Sequence, residues 1–300
     1  MKFYIVDAFS DAAFGGNPAG AVFLDPGTDF PEDELMRRTA AELRYSETAF
    51  VRKLNENEFN IRYFTPAAEV DLCGHATIGV FTILLSEGLI KPGKTYINHT
   101  LAGDLEIKTR EDMVMMNMAL PETLGTIDGP EALNELHSVM GIPKEEVIVK
   151  KNSGKSISLM PMIISTGLPD IIMPVISLNA LEKISPDFPA LSDLSKKYEV
   201  TGVHAFSFDD KEPDITAHCR NFAPLYDIDE ESATGTSSGA LAYYLLQNDL
   251  IEDDSDALFI QGETMGRPSR ILSHIKKEST GTKIQIGGTG TILARGEIFI

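Results

Sequence analysis

The stretch RYFTPAAEVDLCGHATIGVFTILL, residues 62–85, returns later in the chain as RNFAPLYDIDEESATGTSSGALAYYLL, residues 220–246. Each copy opens on Arg-x-Phe-x-Pro, passes through an acidic linker and reaches a turn of small residues that starts an apolar helix. Such self-similarity marks a repeated structural unit. Both helices begin with Gly, small and hydroxyl-bearing residues and then become almost wholly apolar, the composition of a helix buried on every side. Strands wrapping a central helix supply that burial. The second copy slips by three residues before its helix, as in an old duplication.

Outward from the first copy, KFYIVDAF (2–9) and AGAVFL (19–24) flank the turn-forming GGNP and are dense in β-branched and aromatic residues, so they predict strands. EDELMRRTAAEL (32–43) follows Pro31 with apolar residues at helical spacing and predicts a helix. Short strands are predicted over 48–51, 59–64, 94–98, 104–109 and 113–118, and the Met-rich MVMMNM of the last is core filling. A chain of 300 residues also suits roughly two domains of ~150 each.

The balance of charge narrows the partners. Twenty-six Lys and Arg stand against 45 Asp and Glu, a formal charge of -19. A nonspecific grip on nucleic acid or an anionic membrane is therefore disfavoured. Cys73 and Cys219 lie far apart, and Asp7 interrupts what a signal peptide needs as an apolar core, so free thiols and a cytoplasmic location are expected. The most apolar stretch, residues 160–178, carries three prolines and Asp170 and is no membrane span.

Chemistry concentrates where the two apolar helices begin. A helix N-terminus presents unpaired N–H groups and a positive dipole end, which bind a carboxylate without Lys or Arg. Cys73, Gly74 and His75 stand at the first start, and Glu231, Thr234, Gly235 and Thr236 at the second. Cys73 and His75 lack further ligands at recognisable spacing, so no metal is expected. Gly154-Lys155-Ser156 ends like a phosphate loop, but Val149 replaces the upstream glycine, and Gly288-Thr-Gly290 lies too near the C-terminus to open a dinucleotide-binding unit. No NAD or ATP cofactor follows.

A serine hydrolase is one alternative, since Gly235-Thr-Ser-Ser-Gly239 satisfies GxSxG, with acidic residues and His274 downstream. The elbow must follow a buried parallel strand, however, and DIDEES (227–232) is too acidic to be one. A noncatalytic small-acid-binding protein uses the same helix-terminus architecture and is the other.

GNPAGAVFL (16–24), YSETAFV (45–51), RYFTPAAEVDLCGHATIG (62–79), EESATGTSSGAL (230–241), QGETMGRPS (261–269) and IGGTGTILARGE (286–297) together resemble the PhzF family of phenazine-biosynthesis isomerase-like proteins. The resemblance implies an α+β, diaminopimelate-epimerase-like fold: two pseudo-symmetric lobes, each a β-barrel-like curled sheet around a central helix, with the active site in the cleft between them. The lobes would be residues 1–118 with 286–300, and 119–285. It also implies a homodimer, and a cofactor-independent isomerase acting on a small unsaturated or cyclic amino or hydroxy carboxylic acid. Glu47 matches the family's proton-transferring glutamate and His75 its active-site histidine. Glu231 stands where many members carry Asp, and Thr236 replaces a substrate-contacting serine. Gly74 and Gly235 match glycines whose backbone faces the ligand.

One departure shapes the mechanism. The epimerase relatives resemble a symmetric machine with a cysteine at each helix start, whereas here Cys73 faces Thr234 in that scheme. A hydroxyl is several pK units too weak for acid–base work near neutrality. Two-thiol racemisation is disfavoured on that ground, and Cys73 and Thr234 are expected to line the site. Glu47 would be the single acid–base group, its pKa raised by burial, with His75 and Glu231 holding substrate polar groups.

Overall fold

The computed structural model describes residues 1–143, 150–152, 155–156, 158–208 and 212–300. Val149 and Gly154 of the rejected phosphate loop lie outside the described residues. The chain divides into two compact units, one of Met1–Asn117 with Gly287–Ile300 and one of Met118–Ile286. The architecture of each is α+β, a curled sheet packed on an apolar helix.

In the first unit, Lys2–Ala8 pairs antiparallel with both Asn17–Phe23 and Gly290–Glu297. Asn17–Phe23 runs parallel to Thr48–Lys53, which pairs antiparallel with Glu58–Phe64. Glu58–Phe64 takes the short antiparallel strand Glu69–Val70 at one place and the parallel strand Thr95–Thr100 at another. Gly103–Arg110 and Met113–Asn117 continue antiparallel. Of the helices, α1 (Asp33–Leu43) buries Met36, Thr39 and Ala40, as its spacing predicts. The central α2 (Gly74–Ser86) packs against Lys2–Ala8, Asn17–Phe23, Thr48–Lys53, Met113–Asn117 and Gly290–Glu297. Every residue from His75 to Leu84 is buried. Gly79 lets α2 approach so closely that a Cβ there would lie 2.5 Å from Val6 Cγ1.

The second unit repeats the pairing order. Met162–Ser165 pairs antiparallel with Pro169–Pro174, which runs parallel to Val203–Ser207. That strand pairs antiparallel with Ala217–Ala223, which takes the short antiparallel Ile228–Glu231 and the parallel Ser255–Gln261. The apolar stretch 160–178 thus supplies two strands, and no helix among the described residues is long and apolar enough to cross a membrane. Between them, α3 (Pro130–Met140), α4 (Leu178–Glu182) and α5 (Phe188–Tyr198) close a separate apolar cluster that includes Leu136, Met173, Leu191 and Phe222. The central α6 (Gly235–Gln247) packs on Met162–Ser165, Pro169–Pro174 and Ser269–Glu278.

The repeat seen in sequence has a physical content. Arg62 Nε donates to Glu69 at 2.7 Å and lies over the Phe64 ring at 5.2 Å from its centroid. Arg220 Nε donates to Glu230 at 2.8 Å and lies over Phe222 at 4.9 Å. Each guanidinium forks onto a carboxylate of the returning hairpin, a planar two-bond match that fixes the approach to the next helix. The three extra residues of the second copy fall inside this hairpin, in the turn Pro224–Tyr226 and Asp227. The helix starts then coincide in backbone form: Cys73 at φ -135°, ψ 112° and Thr234 at φ -130°, ψ 106°.

Candidate active site

Glu47 immediately precedes the strand Thr48–Lys53, and Cys73 and His75 begin α2. Strand and helix pack together, so residues distant in sequence converge. His75 Nε2 lies 3.2 Å from Glu47 Oε2, an ion-pair distance not aligned as a hydrogen bond. Cys73 Sγ is 3.5 Å from His75 Nδ1, and Ser46 Oγ is 3.4 Å from His75 Nε2. His75 and Cys73 are buried, Glu47 is nearly so, and Ser46 is exposed beside them. Spacing in the sequence gave no third partner to Cys73 and His75; folding brings in Glu47, so that one ligand-type atom from each of the three lies within 4.8 Å of the others.

The charge states follow from these contacts. Burial pushes the Glu47 carboxyl up, but His75, Ser46 and Cys73 together outweigh it and hold Glu47 below the ordinary carboxylate range. The expectation that burial raises it is therefore corrected: a cation stands close enough to reverse the sign. Burial likewise works against the imidazolium of His75, and Cys73 and Glu47 outweigh it, holding His75 well above the ordinary histidine range. Cys73 is pushed up to about 11, first by burial and then by the Glu47 charge. A thiol of that pKa is uncharged near neutrality, which leaves Glu47 as the anion that faces His75. The resting site is carboxylate, imidazolium and thiol.

Behind α2 runs a directed chain of buried hydrogen bonds. Asn98 Nδ2 donates to Tyr63 Oη at 2.9 Å, Tyr63 meets Thr77 Oγ1 at 2.6 Å, and Thr77 donates to the Cys73 carbonyl at 2.7 Å. Thr77 has spent its proton on Cys73, so Tyr63 must be the donor to it. This chain anchors the helix start that carries Cys73 and His75, and nothing in the sequence pattern signalled it. Tyr63→Phe should cost about 1–2 kcal/mol of unfolding free energy, read by denaturant titration, because the Asn98 amide and Thr77 each lose a partner where water does not reach.

In the second unit Glu231, Thr234 and Gln261 form one cluster. Thr234 Oγ1 donates to Glu231 Oε2 at 2.6 Å and accepts from Gln261 Nε2 at 3.1 Å. Gln261 Nε2 also donates to the Glu231 carbonyl at 2.7 Å, and its Oε1 accepts the Thr234 N–H at 3.2 Å. Gln261 is wholly buried, and it was visible in sequence only as part of QGETMGRPS. Gly235 is buried and Thr236 half-buried at the first two positions of α6, and the Thr236 carbonyl accepts from Thr166 Oγ1 at 2.8 Å.

The GxSxG reading fails on geometry. Ser237 is wholly buried and donates to Asp170 Oδ2 at 2.6 Å, while the strand before its helix, Ile228–Glu231, is short, half-buried and antiparallel to its neighbour. His274, half-buried on the strand Ser269–Glu278, instead meets Asp256 at 2.7 Å. A nucleophile whose proton is committed to a buried carboxylate, with no room for a substrate, is not a hydrolase serine.

The pairing register adds one correspondence the sequence concealed. Thr48 pairs with Phe64 and Val203 with Phe222, so Glu47 in the first unit corresponds to Gly202 in the second. A Cβ at Gly202 would lie 1.9 Å from the Phe222 carbonyl oxygen, so no side chain fits there. Neither Gly202 nor Thr234 is an acid–base group. The second unit carries none at the places that hold Glu47 and Cys73 in the first.

Comparison with known proteins gives a family model, described as phenazine biosynthesis-like protein (PhzC-PhzF), matching residues 6–296. The chain is 33% identical to the uncharacterized isomerase YfhB of Bacillus subtilis, over 95% of this chain and 93% of that one. It is 29% identical to the trans-2,3-dihydro-3-hydroxyanthranilate isomerase of Pseudomonas fluorescens, over 100% and 99%. The crystal structure of the Bacillus anthracis phenazine biosynthesis protein of the PhzF family superposes with a TM-score of 0.86 at 26% identity, covering 100% and 99% of the two chains.

Proposed function

The chain belongs to the phenazine biosynthesis-like family, PhzC-PhzF, and is an isomerase of it; on that premise we propose that Glu47 alone carries a proton between carbons of a small unsaturated or cyclic amino or hydroxy carboxylic acid. The observation that carries this reading is the contact of Glu47 with His75 in a unit whose counterpart offers Gly202 and Thr236 instead. A carboxylate beside an imidazolium accepts a proton from an activated carbon, and the same oxygen then returns it to a second carbon on the same face of the substrate. As Glu47 becomes neutral, His75 loses its counter-charge and is free to donate toward a developing negative charge on the substrate, where a fixed donor acts most strongly. No metal or organic cofactor is invoked.

Binding roles go to the helix starts. In the first unit the first-turn N–H groups at Gly74 and in the second those at Gly235 each favour a carboxylate through the helix dipole, and Glu231, Thr234 and Thr236 offer polar groups to such an acid. Glu231 stands where Asp is commoner, and its bond to Thr234 draws the longer side chain back toward the helix start. The homodimer implied by the family is tested by a solution mass of two chains.

Two measurements test the reaction. Small unsaturated amino and hydroxy acids are incubated with the protein in D₂O, and NMR should show deuterium entering a carbon of one of them as it isomerises. Binding without any carbon exchange across that set would favour the noncatalytic reading. Cys73→Ser should keep turnover within about tenfold, because a thiol titrating near 11 is not the base at neutral pH. A loss beyond ~10²-fold would make the thiol a reacting group.

A further inference from the structure

Gln261 is wholly buried at the end of the strand Ser255–Gln261, and its amide meets two backbone groups beside the start of α6. Its Oε1 accepts the Thr234 N–H at 3.2 Å, and its Nε2 donates to the Glu231 carbonyl at 2.7 Å. A backbone N–H only donates and a carbonyl only accepts, so the two ends of the amide cannot be exchanged. The same Nε2 donates to Thr234 Oγ1 at 3.1 Å. An amide NH2 has nothing with which to accept, so the Thr234 proton cannot turn back to Gln261 and goes to Glu231 Oε2, 2.6 Å away. The bonds therefore run one way, from amide to hydroxyl to carboxylate. Directly after Gln261, a Cβ at Gly262 would lie 2.7 Å from the Ser232 carbonyl oxygen, so the strand end presses on the residues it holds. The first unit does not repeat this clamp. Continuing the pairing of Asn60 with His99 by one residue puts Thr100 at the place of Gln261, and the Thr100 hydroxyl donates to the Gly103 carbonyl.

We propose that Gln261 is the positioning residue of the second unit: by fixing the Thr234 proton on Glu231 it makes the pair an acceptor only, which selects acids bearing an amino or hydroxyl donor over the oxo acids of the same skeleton. A hydroxyl free to rotate serves both classes, since it can accept from an amine or donate to an oxo group. Gln261 removes that freedom. An amine or hydroxyl then gives a hydrogen bond to Glu231, whereas an oxo oxygen brings only lone pairs against a carboxylate. Rejection through a polar group left without its partner is the strong form of selectivity. Gln261 makes and breaks no bond to carbon, and the proton transfer stays with Glu47. The selection rests on the reading of Glu231 and Thr234 as binding groups; the direction of the bonds rests on their geometry alone.

The test begins on the full chain without ligand. A hydroxyl proton held by a carboxylate exchanges slowly with water, so proton NMR should show the Thr234 hydroxyl, identified by its loss in Thr234→Val. Gln261→Met, close in volume and without donor or acceptor, should speed that exchange by ~10-fold or more, because the hydroxyl is then free to turn. Selection is read by titrating the amino and hydroxy acids of the deuterium screen, each against the oxo acid of its skeleton, while following the side-chain carboxyl carbon of Glu231. The unmodified protein should bind a donor-bearing acid at least ~10-fold more tightly than its oxo counterpart, and Gln261→Met should bring the ratio within ~3-fold. For an acid that turns over, Gln261→Met should raise KM by ~10-fold or more and leave kcat within ~3-fold, because Glu47 is untouched. A merely structural loss would lower the amount of active protein and leave KM and the ratio where they were. If Gln261→Met does not fold, the hydroxyl signal and the ratio in the unmodified protein still decide. The proposal is overturned if that hydroxyl exchanges as fast as a free one, if Gln261→Met leaves its exchange unchanged, if no donor-bearing acid moves the Glu231 signal, or if oxo acids bind equally well. A slow hydroxyl with the binding preference, in a chain that exchanges no carbon-bound deuterium, keeps this inference and removes the isomerase; deuterium exchange without the preference does the reverse.

Discussion

Glu47→Gln slows deuterium exchange and isomerisation of a turned-over acid by ~10²–10⁴-fold while its affinity for the acid changes little. The amide keeps the volume and most of the hydrogen-bonding surface of the carboxylate, so substrate still finds its partners. What it loses is the ability to accept a proton. The size of the loss depends on whether another group can substitute, and the surroundings argue that none does. Cys73 is an uncharged thiol near neutrality, and His75 is already protonated, so neither is a base in the resting site. In the second unit the corresponding places hold Gly202, where a side chain has no room, and Thr234, whose hydroxyl is bonded to Glu231 and Gln261. A single base must receive and return the proton on one face, which suits a shift between carbons better than inversion of a stereocentre. NMR of both proteins in D₂O with the same acid decides it: exchange by the Gln protein at the unmodified rate removes Glu47 from the chemistry, whatever the fold.

The duplicated framework and the site were legible in the sequence to different degrees. The repeated Arg-x-Phe-x-Pro announces the duplicated framework because its residues do local physical work: the Arg forks onto a Glu a few positions on, the Phe lies under the guanidinium, and the next helix starts from there. The burial of α2 and α6 was equally plain, since a helix apolar on all sides has nowhere else to go. Glu47 was different. Nothing in the spacing of Glu47, Cys73 and His75 shows that they touch, because their contact is made by a strand packing on a helix, and only the family resemblance singled Glu47 out. The direction of its pKa was out of reach for the same reason, being set by His75 at 3.2 Å, Ser46 and Cys73, which together outweigh burial. The correspondence of Glu47 with Gly202 was hidden because it is carried by strand register, not by residue identity. Gln261 was present in a quoted motif, but its role depends on a parallel pairing of Ala217–Ala223 with Ser255–Gln261 that no local pattern encodes.

Asp170→Asn should make the protein more stable above about pH 6 and leave it nearly unchanged below about pH 4. Asp170 is buried on the strand Pro169–Pro174, where its Oδ2 accepts from Ser237 of α6, and the Gly202 backbone also donates to the carboxyl. Its Oδ1 has no hydrogen-bond partner among the described residues, and no cation figures among the groups that act on it. Burial therefore prevails over the bonds from Ser237 and Gly202 and raises the carboxyl from 3.8 to about 6. The sign follows directly: between those values the folded chain holds a proton that the unfolded chain has released, so stability falls as pH rises through the window. At 1.36 kcal/mol per pKa unit the full loss is about 3 kcal/mol, present above pH 6 and absent below pH 4. Asn cannot ionise, and it keeps an acceptor for Ser237 and Gly202. It places an NH2 group where the protonated acid places an unpaired O–H, a difference that does not change with pH, so the pH dependence of the two parts company only as the acid ionises. Denaturant titrations of both proteins at pH 5 and pH 8 measure the difference. The unmodified chain should lose stability between the two relative to the Asn variant, and parallel profiles would mean that Asp170 ionises no less readily folded than unfolded.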